Sequence, residues 1–420
     1  MNRYQSIVGR INYALFIAVA VLLPYPQICL RYAVVLWFIS WLLEGRWLSI
    51  SNLKSQLSNW KHILPILLFG LWFALKVLSG LWAQDGDRWA WQMERYMTFG
   101  LMVPIALWGV NECYDWCKAG RAFVISCTVA VPIYILWMTI LYFHPEWVDI
   151  RQLNSAYPYA EVKGWWEFVA EYISAFKHRL FFCSVELFGA IVAWFIYRKR
   201  LTVLIPALVM TLSAIPLTTS RQSILTCAAL LAVGLISSLP KRYRWSYGVG
   251  IFLIGIVMGG GILSLNPRMQ GYNFKAITEV RAVSSDHDVR LNIWGFALQH
   301  PEDYIAKGVG AGQSEQYLNK QFTLYFIKHG FHAHNQYLEE LIEVGIPGLL
   351  LFLLAWLSIP LCAPNGARVM AWMFTVLFLM NMFTDCMFGK FDGIALWLVG
   401  VLLILFQSHP QRKEQTSRNT

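Results

Sequence analysis

The segment HAHNQYLEELIEVGIPG, residues 332–348, sets two histidines and an asparagine before an acidic, half-apolar helical pattern. A neutral imidazole accepts a proton near pH 7, so one histidine at this place predicts a general base. Asn335 has the residue type that caps the start of a helix, and its amide is also suited to holding a substrate hydroxyl. Capping is the favoured role, and the segment predicts an acid–base site at the start of a helix.

A zinc site is the alternative use of these histidines. His329, His332 and His334 lie close in sequence, and ligands two residues apart converge from an extended segment. A third or fourth ligand at a suitable spacing is not evident, and the helical His-x-x-x-His pattern is absent. The sequence therefore favours a site without metal.

Arg221 lies in IPLTTSRQSILTCAALL, between two apolar runs with almost no loop around it. A charge at the hydrocarbon boundary is costly and by default marks a substrate or ion site. Ser220 and the two threonines before it are donors suited to an anion. The alternative is an arginine that extends to the lipid headgroups.

Arg290 stands at the start of RLNIWGFALQHPEDYIAKGVGAG, beside an apolar helical stripe. Two arginines facing one cavity suit a diphosphate, because the planar guanidinium binds phosphate oxygens in pairs and stays charged. Taken alone, Arg290 is equally a partner for Asp286 or Asp288. The glycines at 308, 310 and 312 predict a turn before a further helix, because neither a Lys-Ser/Thr pair nor a preceding strand accompanies them.

Composition fixes the setting of these residues. The chain has 420 residues, of which 57% are hydrophobic and 14% charged, so it is predicted to be an all-α polytopic membrane protein. About twelve apolar runs are long enough to span a bilayer. Their centres are Ala18, Leu36, Leu71, Met102, Val131, Leu187, Val209, Ala229, Ile256, Leu353, Leu377 and Val399.

Lysine and arginine are concentrated in alternate short loops, which predicts cytoplasmic N- and C-termini. This asymmetry explains the net charge of +10 without a nucleic-acid partner. The expected organisation is nine spans over 1–264, a periplasmic loop over 265–345, three spans over 346–407 and a cytoplasmic tail over 408–420. No structural disulfide is expected, because the long outer loops contain no cysteine.

A second outer segment, about 144–179, contains WWEFVAEYISAFKHR, whose aromatic residues recur at helical spacing. It predicts an amphipathic helix in the outer membrane interface, or equally a helix that covers the bundle. Arg179 after it, and Arg95 near the fourth span, are secondary candidates for binding substrate phosphates or acidic sugars. Each is equally explained as an interface anchor.

Three motifs together resemble the bacterial O-antigen ligase family, within the superfamily of ligases and polymerases. HN, nine residues and GIPG resemble its histidine signature; TTSRQSIL resembles its Ser-Arg segment; and RLNIWGFALQHPEDYIAKGVGAG resembles its Arg, Trp, Pro and Gly-x-Gly block. They cover roughly residues 218–350, and the N-terminal half matches in hydropathy alone. His332 falls outside the signature.

The resemblance implies a GT-C-like membrane glycosyltransferase that inverts the anomeric centre and needs no metal or other cofactor. It would move a glycan from undecaprenyl diphosphate to the lipid A-core oligosaccharide, at the periplasmic face of the bacterial inner membrane. Arg221 and Arg290 would hold the diphosphate, and His334 would be the catalytic histidine.

Three alternative functions remain at this stage. A surface-polysaccharide polymerase and a protein O-oligosaccharyltransferase belong to the same superfamily. A twelve-span transporter is a different class, favoured only by Arg31, Lys76 and Glu186 within the spans.

Overall fold

The computed structural model describes residues 3–144, 147, 164–165, 168–169, 177–218, 220–238, 289–322 and 332–406. Over these residues the regular secondary structure is helical. The α-helices are α1 (Arg3–Leu22), α2 (Gln27–Glu44), α3 (Ile50–Ser58), α4 (Leu64–Leu78), α5 (Gly86–Trp108), α6 (Trp116–Phe143), α7 (Arg179–Tyr197), α8 (Leu201–Thr218), α9 (Arg221–Ser238), α10 (Val289–Ala297), α11 (Ser314–Phe322), α12 (Gln336–Cys362), α13 (Arg368–Met382) and α14 (Phe391–Leu405).

Helical segments long and apolar enough to cross a membrane number 7 in the described residues: α1, α2, α4 with the 3-10 turn that extends it to Leu81, α6, α7, α8 and α12. Three shorter apolar helices are α9, α13 and α14. The prediction of an all-helical polytopic membrane protein is confirmed. Each predicted centre within the described residues lies in a helix, including Met102 in α5; the centre at Ile256 lies outside them.

Short polar residues begin several helices, as capping requires. Asp85 accepts a hydrogen bond from Arg88 N at 3.0 Å at the start of α5. Asn335 accepts one from Leu338 N at 3.1 Å at the start of α12, so its predicted capping role is confirmed. These caps satisfy backbone donors that have no partner within the helix.

Aromatic side chains fill the centre of the bundle. Phe99 lies 4.5 Å from Trp397 and 4.8 Å from Phe388, measured between ring centroids. Phe69 and Trp72 extend the same cluster from α4. All five side chains are buried, so α4, α5 and α14 are held together by apolar contact.

Several helix ends meet at one end of the bundle, called here the site end. Lys177, just before α7, donates to Leu23 O at 2.6 Å and to Tyr25 O at 3.0 Å, in the turn between α1 and α2. The same ammonium bonds Asp392 Oδ1 at 2.7 Å at the start of α14. The two ions are buried, and their pairing fixes these three segments to one another.

Helix α12 is kinked at Gly345, whose φ of 67° is left-handed. The carbonyls exposed by the kink accept from the preceding loop: Ile342 O bonds Val309 N at 2.8 Å and Glu343 O bonds Gly310 N at 3.0 Å. A Cβ on Gly308 would lie 2.2 Å from the Glu343 backbone. The glycine-rich turn predicted before α11 therefore packs directly on the kink, at the predicted boundary after residue 345.

Most of the predicted interfacial helix, and the loop residues 239–288 with Asp286 and Asp288, lie outside the described residues. Within that helix, Phe168 and Val169 are buried against α6. Trp165 Nε1 donates to Thr139 Oγ1 of α6 at 3.1 Å. These contacts favour a segment that covers the bundle. All eight cysteines are free.

Candidate active site

His334 has a left-handed backbone conformation, with φ of 48°, and among the described residues it is the only non-glycine with positive φ. That conformation costs a residue with a Cβ about 1–2 kcal/mol. The neighbouring His332 offsets the strain, because its Nδ1 accepts a hydrogen bond from His334 N at 3.2 Å. The two imidazole rings lie 3.7 Å apart between centroids. The turn thus sets the direction of the His334 ring.

The hydrogen bond also decides what His332 does chemically. Since Nδ1 accepts, the neutral ring carries its proton on Nε2 and offers a donor there. Burial lowers the pKa of His332, and although Asp385 opposes this, the net pKa is below the ordinary value. His332 is therefore a neutral donor, and His334 is the better placed base of the two.

We expect His332→Ala to lower kcat for the catalysed reaction about tenfold with little change in KM, because the His334 turn loses its acceptor. His332→Asn should recover most of the rate, since Asn Oδ1 can take the place of Nδ1. Steady-state kinetics of the two purified variants are the measurement. Equal losses in both variants would contradict this positioning role.

Asp385 is the acidic member of the site. Its Oδ1 lies 3.8 Å from His334 Nδ1, and it accepts from Cys386 N at 2.8 Å. Burial works to raise the pKa of Asp385, but the three neighbouring histidines and this N–H bring it below its ordinary value. The carboxylate is therefore ionised near neutral pH and stabilises an imidazolium beside it.

His178 is the third of these histidines. It directly precedes α7, and burial lowers its pKa well below the ordinary value. The positive charges of Lys390, Arg179 and Arg290 lower that pKa further. These cations therefore lie within electrostatic range of the ring, and His178 remains neutral in a basic surrounding.

Arg290 reaches the histidines through the packing of α10. One turn after it, Trp294 Nε1 donates to Ala333 O at 2.9 Å, between the two loop histidines. Ile293 and Ala297 are buried in the same small core as Ala333. The predicted apolar stripe thus places α10 on the histidine loop, and Arg290 contributes to the pKa of both His178 and His332.

Arg221 is brought to the same level by a buried polar cross-link. Asn381 at the end of α13 accepts from Thr226 Oγ1 at 3.0 Å and donates to Ser184 Oγ at 2.9 Å. Arg221 and Arg179 each begin a helix, about 7 Å before Thr226 and Ser184 respectively at 1.5 Å per residue. Asp385 follows Asn381 by about one turn in the outward direction. The cross-link therefore sets the two arginines and the carboxylate at one depth.

Ser220 sits directly before Arg221 and acts as a cap. Its Oγ accepts from Ser223 N at 3.4 Å and from Ser223 Oγ at 2.8 Å. The hydroxyl is buried, and these bonds fix the first turn of α9. A direct contact of Ser220 with substrate stays a prediction, as does one of Asn335.

A cavity of about 560 Å³ adjoins the histidine cluster. His332 and Asp385 line it, together with Arg95 from α5. Arg221 and Arg290 are not among its lining residues. His332 and Asp385 thus belong both to the histidine cluster and to the cavity lining.

A family model described as O-antigen ligase matches residues 206–353. Over these residues the chain is similar to the O-antigen ligase family. The ligase match includes Arg221, Arg290 and His334, whereas α1 to α7 lie outside it. No curated protein sequence matches the chain significantly.

The histidine cluster also provides three possible metal ligands. Ligand atoms of His332, His334 and Asp385 lie within 4.8 Å of one another. Three protein ligands and an open fourth position are typical of catalytic zinc. A metal on His332 Nδ1 would displace the hydrogen bond from His334 N. The metal-free site therefore stays a prediction, which chelation tests.

The sequence pointed to the basic residues of the candidate site but not to its carboxylate. Asp385 lies in NMFTDCMFGK, a short turn between two apolar runs outside the three motifs. The available signal was a single acidic residue at the predicted outer end of a span, the same signal that drew attention to Arg221.

Proposed function

We propose that the chain transfers a glycan from undecaprenyl diphosphate to lipid A-core oligosaccharide, with inversion and without a metal. In this proposal the site end faces the periplasm of a bacterial inner membrane, and both termini are cytoplasmic. The observation that carries it is the proximity of His334 Nδ1 to Asp385 Oδ1, at 3.8 Å, within the segment that matches the O-antigen ligase model and the turn before α14.

The arginines supply the stabilisation that a leaving diphosphate needs. As the bond from the anomeric carbon to the phosphate oxygen breaks, its electron pair passes to that oxygen, and negative charge grows there. Guanidinium groups of Arg221 and Arg290 would bind this charge by paired hydrogen bonds. The lipid diphosphate leaves as an anion and needs no proton.

His334 supplies the base. The acceptor hydroxyl oxygen attacks the anomeric carbon from the side opposite the diphosphate, and its proton passes to the imidazole. The carboxylate of Asp385 stabilises the imidazolium that results. One bond forms as another breaks, so a covalent glycosyl–enzyme intermediate is not required.

The direct test uses purified protein, lipid-linked glycan and lipid A-core in the presence of EDTA. We expect glycan to appear on the core at an unchanged rate after chelation. Loss of transfer that Zn²⁺ restores would instead assign His332, His334 and Asp385 to a metal.

The polymerase and the protein O-oligosaccharyltransferase share this chemistry and differ in the acceptor. A deletion strain of the source bacterium separates them. Full-length polymer accumulating on the lipid diphosphate supports the ligase, single repeat units support the polymerase, and unmodified protein with normal lipopolysaccharide supports the third.

The structure removes part of the support for a transporter. Lys76 forms two buried salt bridges, with Glu340 at 2.9 Å and with Glu343 at 2.7 Å. Arg31 is near the start of α2, where it donates to Gln27 Oε1 at 2.8 Å. Neither cation marks a midplane transport site.

Arg290→Ala should lower kcat/KM for the donor about 100-fold or more, because a charge opposite the diphosphate is lost. Arg290→Lys should lose less, about tenfold, since it keeps the charge but not the paired geometry. Donor-dependent kinetics are the measurement. Arg368→Ala, at the other end of α13, is the matched control and should leave the rate unchanged. Equal rates for Arg290→Ala and wild type would contradict the role.

A further inference from the structure

We propose that the cavity beside His332 is the acceptor subsite and that it holds a neutral saccharide ring against Trp91. This inference rests on the proposed function and specifies the chemical class of its acceptor substrate. The cavity volume of about 560 Å³ is within the ordinary range for small-ligand sites.

The position of the cavity favours the acceptor over the donor. Inversion requires the attacking hydroxyl to approach on the face opposite the leaving diphosphate. The arginines proposed to hold the diphosphate do not line the cavity, whereas His332 and Asp385 do. Since the centroids of the His334 and His332 rings lie 3.7 Å apart, a hydroxyl presented from the cavity beside His332 arrives near the base.

One face of α5 forms the longest wall. Asp87, Arg88, Trp91, Gln92 and Arg95 line the cavity at i, i+1, i+4, i+5 and i+8, which is helical spacing. The wall is rigid at its start, because Asp85 caps the helix and accepts from Gln316 Nε2 at 2.6 Å. The rest of the lining includes Gly312, Ser314 and Glu315 and the turn that contains Asp385, Gly389 and Lys390.

Trp91 is held in place by Arg95 and leaves part of its indole exposed for a ligand. The Arg95 guanidinium carbon lies 3.5 Å from the centre of the Trp91 ring, and Arg95 Nη1 donates to Gly389 O at 2.8 Å. The arginine thus holds the indole from one side while 53% of the tryptophan remains exposed. An exposed indole in a polar cleft suits the apolar C–H face of a sugar ring.

The charges of the lining favour a neutral ligand. The three basic residues are Arg88, Arg95 and Lys390, and Arg88 already pairs with Glu315 at 3.2 Å. Five acidic residues also line the cavity: Asp87, Glu315, Glu339, Glu343 and Asp385. Glu315 is paired with Arg88 and Glu343 with Lys76, so the lining carries no large excess of either charge. Sugar hydroxyls can donate to its carboxylates and accept from its guanidinium groups, which suits an uncharged ligand. Arg95 orients the indole, and its binding of phosphates or acidic sugars stays a prediction.

The test measures acceptor kinetics in purified full-length protein with lipid-linked donor. We expect Trp91→Ala to raise KM for a neutral core oligosaccharide at least about tenfold, with kcat and donor KM within twofold. Trp91→Phe should keep most of the affinity. Trp60→Ala, a half-exposed tryptophan outside the cavity lining, is the matched control. An unchanged acceptor KM, or a raised donor KM, in Trp91→Ala would overturn the proposal.

Two further readouts separate this inference from the proposed function. Saturation-transfer NMR of the oligosaccharide with wild type and Trp91→Ala reports binding without catalysis. Binding that is equal in both proteins overturns the subsite, whereas wild-type protein that binds the sugar but transfers no glycan overturns the proposed function. If a core oligosaccharide phosphorylated on its terminal sugar bound more tightly than the neutral one, the proposal that the subsite takes a neutral sugar would be wrong.

Discussion

Replacing His334 with alanine should lower the rate of glycan transfer by about 10²–10⁴, the usual contribution of a general base. The loss should appear in kcat, because the proton is transferred only as the acceptor attacks. Donor binding should be preserved, since Arg221 and Arg290 belong to other helices. Single-turnover transfer with labelled donor, together with donor binding to the purified variant, is the measurement.

The left-handed turn provides a sharper version of this experiment. At φ of 48° glycine is unstrained, so His334→Gly removes the base without distorting the chain. Added imidazole should then restore part of the lost rate if the ring acts through proton transfer. Full activity of His334→Ala would refute the role of His334, and a failure of imidazole to rescue His334→Gly would favour a structural role.

Local features of the site followed from sequence because their causes are local. Asn335 caps α12 as its position predicted, and Trp294 follows Arg290 by one turn of the predicted helix. Apolar periodicity and helix capping depend on a few consecutive residues, so they can be predicted from a short stretch of sequence.

Contacts between residues far apart in the sequence could not be predicted in this way. Asp385 meets His334 across fifty-one positions of sequence, and Lys76 meets Glu343 across 267. A span with one lysine suggests a transport site on composition alone. Only the packing of α4 on α12 shows that the lysine neutralises acidic residues directly behind the histidine turn.

That buried cluster connects the aromatic core of the bundle to the site. Glu340 Oε2 also accepts from Trp72 Nε1 at 2.8 Å. Glu343 Oε1 accepts from Gly312 N at 2.9 Å and from Ser314 Oγ at 3.0 Å, which line the proposed acceptor cavity. The lysine thus holds both the first turns of α12 and one wall of the cavity.

Lys76→Met should therefore destabilise the protein by about 3–5 kcal/mol, because two carboxylates remain buried without their cation. Unfolding in mixed micelles, followed by circular dichroism, is the measurement. Lys118→Met removes an exposed pair with Asp115 and should cost about 1 kcal/mol or less.

Adding Glu340→Gln and Glu343→Gln to Lys76→Met should recover part of the lost stability, because neutral amides no longer require a cation yet keep acceptors for Trp72, Gly312 and Ser314. An unchanged free energy of unfolding in Lys76→Met would show that the carboxylates are already neutralised by protons. If the triple variant regains stability and transfers glycan at the wild-type kcat, the cluster only holds the site residues in place. If stability returns without activity, the negative charge behind the histidines is itself required for the reaction.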